Sequence, residues 1–390
     1  MEKQNDNNIA ILVMGYNRVE SLKYVLDSLQ NLIIEYPTPL IISIDGGGTD
    51  EINKLVQSYV WRNGEKKVII HSKRLGLRNH FLWAGDQTEE YNNILFLEDD
   101  ILPSPYAVVA ARELCSLYAN DQDIAAGSLY SPMLCEFSDV KFPRVFDDTG
   151  CFMLAHPYWG TIWMKDGWKR FKEWYSDYKP NPSILPDNVA KWRDGSSFKK
   201  VFIQYLIETN RTCIYPEQSY VTNMGFKGEN NTTGLYCFQT NLAQVPPTFS
   251  YCPLSQKVPS YDAFMELTSD VIKRSCPELA SFDFTTDFKQ VHKVFHTPYV
   301  LTTRPVKKAI LSFSDRMKPV ENGVLLGVKG TGISLALKEN VIFETNERYA
   351  FIARDIKSNY RIHPKTAWRL LKDSTWEYCK SRLKTRSKVK

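Results

Sequence analysis

The sequence predicts an α/β fold built on a mostly parallel sheet with helices on both faces. Short apolar runs recur through the first hundred residues, a stretch of helical periodicity follows the first run, and several runs end in polar or acidic residues. Unbroken apolar runs suit parallel strands buried on both sides. Ligands of such sheets bind beyond the carboxyl ends of the strands, so the polar run ends are the first place to look for a site.

Residues 10–16 read as the first strand. Leu22, Val25, Leu26, Leu29 and Leu32 then recur at helical spacing, and Asn17 with Glu20 has the spacing of a capping box, which predicts a helix starting at Asn17. A second strand over 40–44 ends in Asp45 followed by Gly46, Gly47 and Gly48. A third, 67–71, leads into a polar and aromatic segment over 73–83. A fourth, 93–97, ends at Glu98, Asp99 and Asp100. From 106 to 240 the chain is rich in aromatics. Residues 152–155 and 159–163 read as a strand and its turn, and 198–208 as a helix. Residues 223–234 form a polar, glycine-punctuated loop long enough to be a lid. Residues 324–328 and 333–337 suggest a late hairpin or small sheet. The organisation expected is 1–105, 106–240, an extension over 241–352 and a tail over 353–390.

The chain has 390 residues, enough for two lobes and an extension, and its 43% hydrophobic and 24% charged residues are those of an ordinary globular protein. No apolar run reaches the roughly 18–20 residues that span a bilayer, and the polar N-terminus has no signal-peptide core. The eight cysteines contain no CxxC pair, which argues against zinc or redox motifs and suits a reducing cytoplasm. Twelve Lys and Arg lie between Arg354 and Lys390 against three acids, so the basic character belongs to the tail and the body is net acidic. That argues against nucleic-acid binding by the body.

Three adjacent carboxylates at a strand end repel one another, and a divalent cation or ligand hydroxyls offset the repulsion. Hard oxygen ligands suit Mn2+ or Mg2+ with diphosphate oxygens and water filling the remaining positions; a solvated acidic turn is the alternative. Asp45 before three glycines fits a carboxylate that accepts a hydrogen bond from a base or ribose, or a plain turn. Arg18 near a helix start suits a diphosphate. Lys73, Arg74, Arg78 and His80 add positive charge ahead of the acidic strand, or form an exposed basic helix.

Taken in order, these segments resemble the GT-A glycosyltransferases, most closely N-acetylglucosaminyltransferase I and its bacterial relatives, over roughly residues 8–240. The resemblance implies a GT-A type, Rossmann-like fold with 1–105 as the nucleotide-sugar half, 106–240 as the acceptor lobe and a C-terminal extension. It matches Arg18 to a basic residue after the first strand and Asp45 to the carboxylate that reads the base. His80 begins its histidine-aromatic segment, with Lys73 and Glu98 on the donor side. Asp99 approaches the ribose and Asp100 binds the metal. Trp159 and Trp163, with Trp168 beyond, match the acceptor-side tryptophans. Pro216, Glu217 and then Phe226, Lys227 and Thr232 match the loop that closes over the donor. The family's general base lies in a helix where this chain reads Ser196, Ser197, Phe198, Lys199 with no carboxylate. Asp194 is the nearest candidate upstream and Glu217 the alternative.

The resemblance further implies an inverting, metal-assisted transfer from a UDP-sugar to a saccharide. Trp368, Leu370, Leu371, Trp376 and Tyr378, interleaved with Lys and Arg, fit a basic amphipathic tail on an anionic membrane surface, which would make the acceptor lipid-linked; a solvated or disordered end is the alternative. Competing readings are a sugar-nucleotide pyrophosphorylase, which lacks support from any glycine-rich loop after the first strand, and an inactive sugar-binding or scaffold protein.

Overall fold

The structure is a computed structural model describing residues 8–138, 140–143, 145, 150–157, 159–226, 237–254, 260–344, 351–353, 355–357 and 362–373. The chain divides into two compact units, Met1–Ile342 and Phe343–Lys390.

The first unit opens with β1 (Ile9–Gly15), α1 (Val19–Leu29), β2 (Leu40–Ile44), α2 (Asp50–Ser58) and β3 (Lys66–Ile70). Then come α3 (Gly76–Asp86), α4 (Thr88–Tyr91), β4 (Asn93–Glu98), β5 (Ile101–Pro103), α5 (Ala107–Tyr118) and β6 (Ile124–Ser128). A small hairpin, β7 (Leu134–Cys135) and β8 (Val140–Lys141), precedes β9 (Cys151–Met153), β10 (Thr161–Met164), α6 (Lys165–Ser176), α7 (Asp187–Ala190) and α8 (Phe198–Thr209). The order continues with β11 (Thr212–Tyr215), β12 (Val221–Asn223), β13 (Ser260–Tyr261) and α9 (Ser269–Ser275). It closes with β14 (Phe284–Asp287), β15 (Tyr299–Thr302), β16 (Leu311–Phe313), α10 (Asn322–Leu325) and β17 (Ile333–Leu337).

Nine strands form one sheet in the order β13-β9-β11-β6-β10-β4-β1-β2-β3. Its β3-β2-β1-β4 half is all parallel; β10 enters antiparallel to both β4 and β6. Every residue of β1 and β2 is buried, so both faces of the sheet are covered there, as their continuous apolar sequences require. Helix α1 supplies part of the cover through Leu22, Val25, Leu26 and Leu29, one apolar stripe at helical spacing. The α/β class expected from the apolar runs is therefore the one observed.

Three details differ from the sequence reading. Helix α1 starts at Val19 rather than Asn17, and Arg18 at its N-cap makes no side-chain cap bond. The first turn is anchored elsewhere: the Ser21 hydroxyl donates to the Asp99 carbonyl at 2.5 Å, and the Arg18 side chain reaches the same acidic loop. Residues 152–155 and 159–163 are not a strand with its turn. They feed β9 and β10, which occupy separate places in the sheet because each pairs with strands distant in sequence. Residues 322–325 form a short helix, so no 324–328 hairpin exists, while β17 lies inside a four-stranded sheet, β14-β15-β17-β16.

Beside that small sheet lie fully buried ion pairs. Lys289 Nζ donates to Glu266 Oε2 at 2.7 Å and to Glu321 Oε1 at 3.4 Å, and Arg304 Nε to Asp287 Oδ2 at 2.6 Å. No helix among the described residues is long and apolar enough to cross a membrane. All described cysteines are free thiols.

Candidate active site

Strand order reverses at β1. The chain runs from β1 to β2 to β3 on one side, then returns to place β4 on the other. Such a switch point leaves a crevice beyond the carboxyl ends of the strands. Here it is a cleft of about 440 Å³. Tyr16, Asn17 and Arg18 enter it after β1, Asp45 after β2, and Glu98, Asp99 and Asp100 at the end of β4. Arg74, Leu77 and His80 come from the β3–α3 connection and α3, and Asn223 from the end of β12.

One arginine organises the acidic side. Arg18 Nε donates to Asp99 Oδ2 at 3.2 Å, one terminal nitrogen donates to Asp99 Oδ1, and the other to Asp100 Oδ2 at 2.8 Å. Asp99 and Asp100 are buried, and the guanidinium is the counter-charge that makes two adjacent buried carboxylates tenable. Burial still pushes the Asp99 carboxyl up to about 6, against the pull of Arg18. Glu98 is pushed up to about 8, by burial first and then by Asp100 and Asp99.

Among the described residues no cluster of three His, Cys, Asp or Glu is placed to hold a metal unaided. The donor set instead fits a hard cation that brings most of its own oxygen ligands: two adjacent carboxylates at the mouth of a polar cleft, of which Asp100 is held by a single arginine contact.

Asp45 has a structural task. Its Oδ1 accepts from the Gly46 and Leu75 amides at 2.8 and 2.7 Å, and its Oδ2 from Gly76 at 3.0 Å. The carboxylate therefore caps α3 while still lining the cleft. Gly46 lets the two connections meet, since a Cβ there would lie 2.2 Å from the Lys73 carbonyl carbon. Gly46 thus serves the close approach of one chain segment to another. His80 is buried and bound to the Ser43 hydroxyl at 2.7 Å; burial drives its pKa down to about 4 despite Asp45, so it is neutral.

No family model matches this chain, and no curated protein matches its sequence. Among solved structures it is similar to S. aureus TarS 1-349 in complex with UDP-GlcNAc, with a TM-score of 0.38 and 14% identity over 58% of this chain and 61% of that one. It is also similar to the mannosyltransferase PcManGT from Pyrobaculum calidifontis in complex with GDP-Man and Mn2+, with a TM-score of 0.36 and 12% identity over 54% of each chain. The chain spans less than two thirds of either, and likeness this distant bears on neither substrate nor mechanism.

A second, inner cavity of about 180 Å³ adjoins the cleft and shares Leu77, Glu98, Glu136, Trp159 and Phe238 with it. Tyr130, Leu134, His156, Ser197, Phe198 and Lys199 complete much of its wall. Here Lys199 Nζ donates to Glu136 Oε2 at 2.5 Å.

The structure thus brings together Arg18, Asp45, His80, Glu98, Asp99, Asp100 and Trp159. It places the others elsewhere. Lys73 is exposed and outside the cleft wall, where Arg74 stands instead, 4.4 Å over the Tyr16 ring. Trp163 is fully buried among Trp168, Phe198 and Phe202, as its position inside β10 demands. Asp194 is 62% exposed and paired with Lys200, and exposed Glu217 also lines neither cavity. Phe226 stacks on Tyr24 of α1, with 5.9 Å between ring centroids. Lys227 and Thr232 lie outside the described residues. The base of the loop is nonetheless tied to the acidic site. Strand β12 pairs with β5, and the Met224 amide donates to the Asp100 carbonyl at 2.9 Å.

Sequence reasoning missed Glu136, His156, Tyr130 and Phe238. Each is a single residue in an irregular segment or at a strand end, with no motif around it.

Proposed function

We propose that this chain is a glycosyltransferase that moves a sugar from a UDP-sugar to a saccharide hydroxyl, with inversion at the anomeric carbon. One observation carries the reading: at the sheet's switch point Arg18, Asp45 and the Glu98–Asp100 run converge on one cleft, with a second cavity adjoining it. The cleft takes the nucleoside diphosphate, against Tyr16, Arg74 and the α3 start. The inner cavity, rimmed by Trp159, Tyr130 and Phe238, takes sugar rings, whose apolar faces stack on aromatic side chains.

Asp100, with Asp99 beside it, would hold Mn2+ or Mg2+ together with the diphosphate. Bound there, the metal supplies compensation for charge on the departing nucleotide. Arg18 adds a second cation on the same side. Asn223 lines the same cleft, and the end of its strand is fixed to the acidic site by the Met224–Asp100 contact. This use of the two cavities supports 1–105 as the donor half and 106–240 as the acceptor half. The order of the motifs supports a place near N-acetylglucosaminyltransferase I. In the second unit a helix over 364–373 exposes Trp368, Leu370 and Leu371 beside Lys365, Arg369 and Lys372, which supports an anionic membrane surface and a lipid-linked acceptor.

Calorimetric titration of UDP with and without Mn2+, on the wild type and Asp100→Ala, tests the reading. Metal-dependent binding lost in the variant is expected. Absence of UDP binding under every condition overturns it, and release of pyrophosphate from a nucleoside triphosphate would assign the chain to the pyrophosphorylases.

A further inference from the structure

We propose, resting on the transferase reading, that Glu136 is the general base. In place of the helix position where a carboxylate was expected, the N-terminus of α8 presents Ser197, Phe198 and Lys199 to the inner cavity. Lys199 does not stand alone there. It grips Glu136, carried on the turn that follows β7, so the carboxylate arrives from a different element and is fixed by the lysine at the helix start.

Two features place Glu136 at the chemistry. It lines both cavities, as only residues at their junction do, and the junction is where donor anomeric carbon and acceptor hydroxyl must meet. Its Oε2 is occupied by Lys199, while Oε1 has no hydrogen-bond partner among the described residues and is open to a hydroxyl. Glu98 also reaches the junction, but it is the end of β4 and continuous with the carboxylates that handle the diphosphate.

An independent observation shows that the inner cavity is built for a polar ligand. His156 lines it at 4% exposure, and neither ring nitrogen has a hydrogen-bond partner among the described residues. A buried polar group without a partner is costly, and a bound sugar hydroxyl would satisfy it.

In the step proposed, the acceptor hydroxyl proton passes to Glu136 Oε1. The freed oxygen lone pair forms the bond to the anomeric carbon, and the carbon–oxygen bond to the diphosphate breaks with its electron pair leaving on the nucleotide. Glu136, now a neutral acid, returns the proton to solvent. Lys199 is a positioning residue: its contact with Oε2 fixes the carboxylate's rotamer.

The test uses the full chain with UDP-glucose, UDP-N-acetylglucosamine and GDP-mannose as probes, following nucleotide binding by calorimetry and nucleotide release by turnover. Glu136→Gln is expected to keep nucleotide affinity within about twofold and to lose about 10²–10⁴-fold in turnover, the usual share of a general base. Glu136→Ala should recover turnover with sodium formate, which fits the space and accepts the proton. Lys199→Met should lose less, about tenfold, without formate rescue. Near wild-type turnover of Glu136→Gln overturns the proposal. So does equal, formate-insensitive loss in the Glu136 and Lys199 variants, which would mark a structural ion pair. Formate rescue of Glu98→Ala in place of Glu136→Ala would move the role to Glu98. Absence of nucleotide binding by the wild type would sink the transferase reading itself and the base assignment with it.

Discussion

Arg18 satisfies two adjacent carboxylates with three donors, and this decides what its removal does. Arg18→Ala leaves Asp99 and Asp100 buried without a counter-charge. The guanidinium is about a quarter exposed, so the expected loss is about 2–3 kcal/mol in chemical denaturation, below that of a fully buried pair. The same vacancy frees both carboxylates for a cation. Mn2+ without nucleotide should therefore raise the melting midpoint of Arg18→Ala more than that of the wild type; an equal shift in both would mean that arginine and metal do not compete. His80 gives a prediction of opposite character. Its folded pKa, about 4, lies below the 6.5 of a free imidazole, chiefly through burial. Below pH 6.5 the unfolded chain takes up a proton that folded His80 refuses, so this stability contribution is present at neutral pH and drains away as pH falls toward 4. Between pH 7 and pH 5 the drain amounts to about 2 kcal/mol. A His80→Gln variant, less stable at pH 7, should lose about that much less than the wild type on acidification, as measured by urea midpoints at both pH values.

At the scale of elements, the cleft is held open by caps and close approaches rather than by large side chains. Asp45 accepts three backbone amides across the β2 end and the start of α3. Asp45→Ala should cost about 2 kcal/mol, at the upper end for a lost cap because all three donors are stranded. It should also weaken nucleotide binding, because Arg74, Leu77 and His80 ride on the segment it anchors. Lys289→Met should be harsher, about 3–5 kcal/mol, because Glu266 and Glu321 are left buried and unpaired. These elements also explain what could be read in advance. Arg18, Asp45 and Glu98–Asp100 follow unbroken apolar runs, and a strand end announces itself in one dimension. Glu136, His156 and Lys199 meet only because β10, β6, β11 and β9 are neighbours in the sheet out of their order in the chain, which brings distant loops together, a pairing order that local pattern does not carry. Trp163 misled for a related reason. A tryptophan beside a probable binding segment looks accessible until β10 is known to lie inside the sheet, between β4 and β6.

Across the whole molecule, charge is divided between two compact units. The cleft and inner cavity belong entirely to the first, Met1–Ile342, whereas the basic excess of the sequence lies in the second. A net acidic first unit gains nothing from an anionic membrane, so any attraction must come from the tail, and membrane binding and nucleotide binding should separate under mutation. Juxtamembrane Lys and Arg each contribute about 1 kcal/mol at an anionic surface. Reversing Lys365, Arg369 and Lys372 to Glu in the full chain removes three such attractions and adds three repulsions. The expected loss is at least about 3 kcal/mol, or about a hundredfold in partition to phosphatidylserine vesicles. Binding to neutral phosphatidylcholine vesicles, carried by Trp368, Leu370 and Leu371, should change little, and raising the salt should mimic the reversal in the wild type. Nucleotide affinity should be untouched in all cases. If the reversal leaves phosphatidylserine partition unchanged, the tail has no electrostatic role at membranes, and the inner cavity must draw its acceptor from solution.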